Sequence, residues 1–175
     1  MAGALLDTKL HRPARRRSLV ERPRLGERLA RATESALTLV SAPAGFGKTT
    51  LLAEWLTTAG ADGVSVAWVS LDDRDSTPAV FWSYLVAALR VAEPSIGAGA
   101  VALLERPQPP LEDAVTSLLN DINSLPQEIV LVLDDYHLIE DGEIHDLLAF
   151  LLEHRPPRLH LVIAGRDPQT MPTAA

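Results

Sequence analysis

The feature that most constrains this chain is the sequence Ala-Pro-Ala-Gly-Phe-Gly-Lys-Thr at residues 42–49. It has the pattern of a phosphate-binding loop, with Ala42 in place of the usual first glycine. Residues 37–41 before it are apolar and predict a strand, and residues 48–59 have the apolar spacing of a helix. A turn between a strand and a helix can point successive backbone N–H groups into one concavity, where a polyphosphate can bind. The residues predicted to line it are Ala42, Pro43, Ala44, Gly45, Phe46, Gly47, Lys48, Thr49 and Thr50.

Two side chains of this loop suit a bound nucleotide. The Lys48 ammonium is expected to contact the β- and γ-phosphates, and the Thr49 hydroxyl to bind a magnesium ion that bridges the same oxygens. Gly47 lacks the Cβ that would block close approach of a phosphate. The alternative is a glycine-rich turn with an unrelated lysine, and the flanking strand and helix favour the nucleotide interpretation.

Composition narrows the class of protein. The 175 residues, of which 47% are hydrophobic, suit one α/β domain with a substantial core. The chain has no cysteine, which excludes disulfides and thiolate metal sites and fits a reducing compartment, so a cytoplasmic location is expected. The first residues lack the order of a signal peptide, and no apolar run reaches the roughly 18 residues that span a bilayer, so no membrane partner is expected.

The net charge of −7 is unevenly distributed. Residues 1–31 hold nine Lys or Arg against three acidic residues, whereas the remainder holds seven against twenty. Such an acidic body suits a nucleic-acid surface poorly, and the sequence shows no DNA-binding motif. Residues 1–18 lack apolar periodicity and are interpreted as an irregular basic arm, which is either solvated or has some of its charges against the acidic body or near bound phosphate.

Strand and helix patterns alternate along the rest of the chain. Strands are predicted at 37–41, 64–71, 128–133 and 159–164, and helices after Pro23 and at 48–59, 78–92, 111–125 and 144–152, with one or two helical turns near 101–104. This alternation indicates a mainly parallel sheet flanked by helices, the three-layer α/β fold of P-loop NTPases. The predicted organisation is a basic arm at 1–18, the NTPase domain at 19–170 and a C-terminal tail at 171–175. The tryptophans are interpreted as core or boundary residues: Trp55, Trp68 and Trp82.

Acidic residues follow the strand predicted at 128–133, about 85 residues after the P-loop, as in a Walker B motif. Ligands bind at the carboxyl ends of parallel strands, so the two motifs should share one edge of the sheet. Asp134 is predicted to hold magnesium, and Asp135 to orient the attacking water or accept its proton. Arg166, after the next strand, could contact the γ-phosphate and stabilise developing charge, the alternative being a solvated arginine paired with Asp167.

Other polar residues are expected at the same edge. Asp72, Asp73 and Asp75 are interpreted mainly as a solvated acidic loop, with the positioning of nucleotide or water as the alternative. His137 and His145 lack metal-ligand spacing and are interpreted as surface residues.

Adenine is favoured over guanine, because no N-K-x-D motif follows the acidic strand. The predicted cofactors are therefore ATP or ADP with Mg²⁺. Two other functions stay open, namely a module that holds nucleotide without turnover and a P-loop kinase acting on a small molecule. The kinase would need an acceptor pocket and lid arginines, which the sequence does not identify.

The chain resembles the ATPase domain of the STAND class of signal-transduction ATPases, and most closely that of large LuxR-type transcriptional regulators of the maltose-activator type. The resemblance covers roughly residues 9–170. It is carried by Lys9-Leu10 with Arg12-Pro13 and by residues 19–25, 41–52, 67–72, 81–85, 133–137 and 166–168.

The resemblance implies an ATP/ADP switch in which ADP marks the resting state, and ATP with an inducer permits self-association and transcription activation. It further implies that Arg22 and Pro23 lie near the adenine, that Asp135 supports slow hydrolysis and that Arg166 senses phosphate. Members of the class continue into a winged-helix segment, a helical sensor array and a helix-turn-helix. The chain is therefore expected to be the nucleotide-binding core alone, able to associate with itself or with a full-length regulator.

Overall fold

The structure is a computed structural model that describes residues 5–13, 24, 29 and 34–166. Within these residues, four strands form one parallel sheet in the order β1-β4-β3-β2. The strands are β1 Leu37–Ser41, β2 Ser65–Ser70, β3 Ile129–Asp134 and β4 Leu159–Gly165. The α-helices are α1 Lys48–Ala61, α2 Pro78–Ala92, α3 Ala98–Leu104, α4 Leu111–Asn123 and α5 Gly142–Glu153, and 3-10 helices span Asp7–Leu10, Asp73–Asp75 and Tyr136–Leu138.

Both faces of the sheet are covered, and the side chains of β3 divide between them. Ile129, Leu131 and Leu133 belong to the larger core, which residues of α2, α3, α4 and α5 complete. Val130 and Val132 belong to the smaller core on the other face, with residues of α1. Successive strand residues point to opposite faces of a sheet. Because both faces of this sheet are covered, the strand is apolar at every position before its final acid. The predicted three-layer fold is confirmed, and Trp55, Trp68 and Trp82 are all buried, as expected.

The register brings the carboxyl ends of the strands to one edge of the sheet. Ser41 pairs with Gly165 on one side, and Ser70 pairs with Asp134 on the other. The segments predicted to share an edge therefore do so: the P-loop, the loop after β2, Asp134 with Asp135, and Arg166.

Several helix boundaries differ from the predicted ones. The helix at 48–59 was predicted to end at Gly60 and the Asp62-Gly63 turn; as α1 it runs past Gly60 and ends at Ala61, and the turn follows with Gly63 at a φ of 86°, which suits a glycine after a helix C-terminus. Helix α5 begins two residues earlier than predicted, because the Asp141 side chain accepts hydrogen bonds from the N–H groups of Glu143 and Ile144.

The N-terminal segment 5–13 is more ordered than the predicted irregular arm. It contains a 3-10 helix, and Leu10 is buried in the larger core. Of the helix predicted after Pro23, the structure describes Arg24 and Leu29, and both residues are helical. The domain boundaries at 18/19 and 170/171 lie outside the described residues and stay predictions. No helix in the described ranges is long and apolar enough to span a membrane.

Candidate functional site

The P-loop connects β1 to α1 and is open on its concave side. Gly45 and Gly47 have φ angles of 80° and 77°, a conformation that side chains disfavour, and no atom of the described residues lies within 4 Å of where a Cβ would stand. Helix α1 begins at Lys48, so its first N–H groups have no partner one turn earlier. These N–H groups and the positive end of the helix dipole form a site suited to a polyanion.

Lys48 is buried and lies against the backbone of its own loop. Its Nζ donates to the carbonyl oxygens of Ala42 at 2.6 Å and Pro43 at 3.1 Å. The Ala42 N–H in turn donates to Gly165 O on β4 at 3.3 Å, which anchors the start of the loop to the sheet. Two of the three ammonium donors are thus engaged, and the third can serve a phosphate oxygen.

The two predicted magnesium ligands meet directly. Thr49 Oγ1 donates to Asp134 Oδ2 at 2.7 Å, although the residues are 85 positions apart. The other carboxylate oxygen of Asp134 accepts the Asp135 N–H at 3.1 Å. Asp134 is 3% exposed, and burial raises the pKa of its carboxyl group, an effect that the Thr49 hydrogen bond opposes. Asp134 is therefore a buried carboxylate with neutral hydrogen-bond partners, and a cation beside it would relieve its desolvation.

The donor set fits magnesium. Mg²⁺ prefers oxygen ligands and is usually bound by one or two carboxylates together with water and substrate phosphates. The Thr49 hydroxyl and the Asp134 carboxylate supply such oxygens at the mouth of the P-loop. The described part of the chain contains no cluster of three or more His, Cys, Asp or Glu that could hold a metal by itself.

Asp135 is oriented differently from its neighbour. Its backbone is left-handed, with φ 58° and ψ 32°, and it precedes the 3-10 helix Tyr136–Leu138. Its side chain is 46% exposed, in contrast to the buried Asp134. Asp tolerates this backbone conformation better than most residues. The turn thus gives consecutive acids different surroundings, one facing the P-loop threonine and one open to water.

His137 is not the surface residue that the sequence predicted. Its side chain is only 10% exposed, and its Nδ1 lies 3.9 Å from Asp135 Oδ1. Both ring nitrogens are buried without a hydrogen-bond partner in the described structure. Burial lowers the pKa of His137, while Asp135 opposes this shift and the charges of Arg166 and Lys48 add to it. A neutral imidazole therefore stands beside the predicted catalytic acid.

His145, also predicted to be a surface residue, makes a hydrogen bond within the protein. Its Nδ1 is hydrogen-bonded to the buried Tyr136 hydroxyl, 2.6 Å away, which links α5 to the turn after Asp135. Proximity in sequence to the acids was the only signal that pointed to either histidine, and it did not predict the low exposure of His137 or the hydrogen bond of His145.

Arg166 lies at the same edge. Its carbonyl oxygen accepts a hydrogen bond from Ser41 Oγ at 3.3 Å, and the residue is exposed. Its charge acts on His137, so its side chain lies within electrostatic range of the turn. Asp167, its alternative partner, lies outside the described residues, as do the predicted adenine contacts Arg22 and Pro23.

The acidic loop after β2 corrects another prediction. Asp75 is not solvated but 2% exposed, and both of its carboxylate oxygens accept hydrogen bonds from Lys9, at 2.8 and 2.7 Å. Asp72 is paired with the same ammonium at 2.7 Å. The interpretation in which the basic arm contacts the acidic body therefore holds for Lys9. Residues 14–18 of the arm lie outside the described residues.

Comparison with known proteins identifies a family. A family model described as an AAA ATPase domain matches residues 18–164. Curated relatives are named HTH-type transcriptional regulator MalT. The protein from Serratia proteamaculans is 39% identical over 163 residues, and that from Vibrio cholerae is 37% identical over 170 residues. These matches cover 93% and 97% of this chain, and the chain spans 18% of the length of each relative.

Solved structures agree on the fold. A Walker-type ATPase of Pyrococcus abyssi aligns with a TM-score of 0.59 at 18% identity, covering 86% of this chain and 46% of that one. Cdc6p of Pyrobaculum aerophilum aligns with a TM-score of 0.64 at 14% identity, covering 95% and 44%. The predicted resemblance to ATPase domains of transcriptional regulators is thus confirmed as a similarity of sequence and fold.

Proposed function

Because this chain belongs to the AAA ATPase domain family, we propose that it is the ATP/ADP-binding switch domain of a LuxR-type transcriptional regulator of the STAND class, with slow magnesium-dependent ATP hydrolysis. The contact between Thr49 Oγ1 and Asp134 Oδ2 at 2.7 Å carries the proposal. It joins the P-loop to the end of β3, so one nucleotide could engage both motifs.

Binding of the nucleotide rests on the P-loop. The N–H groups at the start of α1 hold the phosphates, and the Lys48 ammonium, which donates to the carbonyls of Ala42 and Pro43, uses its third donor for a phosphate oxygen. Thr49 and Asp134 would hold the magnesium ion, which when bound neutralises charge on the phosphates and orients them. Arg22 and Pro23 are proposed to contact the adenine.

Hydrolysis rests on the residues that follow β3. The half-exposed carboxylate of Asp135 can reach water, orient it and accept its proton. A small rotation of either side chain would close the 3.9 Å gap to His137 Nδ1, whose N–H then holds the carboxylate in one orientation. Arg166 is proposed to stabilise negative charge that develops on the transferred phosphoryl group.

The switch itself is proposed from the relatives. They are named transcriptional regulators and are far longer than this chain, so sensing and DNA binding would belong to other parts of such a protein. On this proposal the domain acts in the cytoplasm, and the bound nucleotide governs self-association or association with a full-length regulator.

The test compares ATP hydrolysis and ADP retention in the wild-type chain and two variants. Asp135→Asn should abolish hydrolysis and keep nucleotide binding. Glu140→Gln removes one exposed negative charge nearby and should leave both unchanged. Tight ADP retention without turnover in the wild type would instead identify a binding module, and phosphate transfer to a small acceptor would identify a kinase.

A further inference from the structure

We propose that Lys9 is a positioning residue for the site, because it fixes the loop after β2 against the turn that carries Asp135. The inference rests on the proposed function, since it concerns hydrolysis at that site. It would make the N-terminal segment 5–13 part of the catalytic framework.

Lys9 is the centre of a closed cluster of charges. Its ammonium donates to both oxygens of Asp75, at 2.8 and 2.7 Å, and is 2.7 Å from Asp72 Oδ2. It also lies 4.9 Å from the centre of the Tyr84 ring, a favourable position for a cation. The Lys9 side chain is 12% exposed, and these three oxygens match its three donors.

The same carboxylates shape the loop. Asp75 Oδ2 accepts the Asp72 N–H at 2.8 Å, while Asp72 Oδ1 accepts the Arg74 N–H at 2.9 Å, a reciprocal capping arrangement around the 3-10 helix Asp73–Asp75. Without the Lys9 ammonium, Asp75 would be a buried charge with no cation from the described residues beside it. The loop would then have to open to hydrate that charge.

Both ends of this loop are bonded to the residues around Asp135. At one end, the Leu71 N–H donates to Asp134 O at 3.0 Å. At the other end, Ser76 Oγ donates to Leu138 O at 3.2 Å, and the Leu138 N–H donates to Asp135 O at 3.1 Å. Opening of the loop would therefore release the turn, and with it the orientation of the Asp135 side chain.

Segment 5–13 is held in place independently of the charges. Leu10 is buried in the larger core, and the Leu6 N–H donates to the Tyr84 hydroxyl at 3.1 Å. These contacts secure the segment, so Lys9 is presented to the loop at a fixed position. Replacing Lys9 should therefore loosen the loop before it detaches the segment.

Steady-state ATP hydrolysis tests the proposal in the full chain. Lys9→Met should lower kcat about threefold to tenfold and leave KM for ATP unchanged. Lys9→Arg, which keeps the charge, should recover most of the rate. Ile122→Val, a core change at the end of α4 that leads into the amino end of β3, opposite the edge that carries the site, controls for lost stability; it should keep the wild-type kcat although it lowers Tm.

Hydrogen exchange gives a second measurement that does not depend on turnover. The amides of Leu138 and Ile139 should exchange about tenfold faster in Lys9→Met than in the wild type, and Ser76→Ala should have a smaller effect in the same direction. If the wild type does not hydrolyse ATP, the proposed hydrolysis fails and exchange alone decides the role of Lys9. Unchanged exchange in Lys9→Met, or a kcat that falls equally in Ile122→Val, would overturn the proposal.

Discussion

The contact between Thr49 and Asp134 can be measured as a coupling energy in the nucleotide-free protein. The perturbations are Thr49→Val, which replaces the hydroxyl with a methyl group, and Asp134→Asn, which removes the negative charge. Thr49 Oγ1 now donates to a carboxylate that is 3% exposed, at 2.7 Å. The valine would leave that oxygen without its donor in a place where water cannot replace it.

The structure sets the size of the effect. A hydrogen bond to a charged group contributes about 1.5–3 kcal/mol, so Thr49→Val should lower the free energy of unfolding by that amount. In a chain of this length, this corresponds to a fall in Tm of roughly 3–12 °C. Asp134→Asn should be much milder, because its amide oxygen can accept the Asp135 N–H and its amide nitrogen can donate to Thr49 Oγ1.

The double variant completes the cycle. In the background of the Asp134→Asn substitution, Thr49→Val removes only a neutral hydrogen bond, which contributes about 0.5–1.5 kcal/mol. The two substitutions should therefore couple by about 1 kcal/mol or more in urea denaturation at pH 7. If Thr49→Val has the same effect in both backgrounds, to within about 0.5 kcal/mol, the two side chains do not share the contact.

Further predictions concern the nucleotide, the catalytic turn and pH. Lys48→Ala should weaken ATP binding about tenfold to a hundredfold in a fluorescence titration, because a charged contact to phosphate is lost. Asp135→Asn should keep the affinity for ATP and lower the hydrolysis rate by about 10²–10⁴ in a phosphate-release assay. His137→Ala should lower kcat by more than its modest fall in Tm explains, because the substitution removes packing but breaks no hydrogen bond of the ring nitrogens within the described residues. The hydrogen bond from Lys9 lowers the pKa of Asp72; burial by itself would lower the pKa of Lys9, but the bonds to Asp72 and Asp75 raise it overall. The wild type should therefore exceed Lys9→Met in stability by a constant amount from above pH 3.8 to below pH 10.5. This difference should shrink when the pH falls through the folded pKa of Asp72, and also when it rises through the folded pKa of Lys9.

Local patterns were enough to predict the P-loop and the fold class. The P-loop is a contiguous motif whose glycines and lysine act through backbone geometry. The strand of residues 129–134 is apolar at every position before its final acid, which is the signature of a strand covered on both faces. Parallel strands then bring their carboxyl ends to one edge, so the meeting of Thr49 and Asp134 follows from topology.

What the sequence did not predict depends on distant partners. Asp75 looked solvated because the lysine that neutralises it lies 66 residues earlier in the chain. His137 looked exposed because its burial follows from the left-handed backbone of Asp135 and the turn after it. Gly60 looked like a helix end, but packing of Ala59 in the smaller core outweighs the low helix propensity of one glycine.

The central claim is that Lys48, Thr49 and Asp134 enclose one nucleotide with its magnesium ion. Calorimetric titration of ATP into the wild type and into Asp134→Asn, each with magnesium and with EDTA, tests it most directly. The account predicts that magnesium tightens ATP binding to the wild type and has little effect on the variant. Equal tightening by magnesium in both proteins would contradict it.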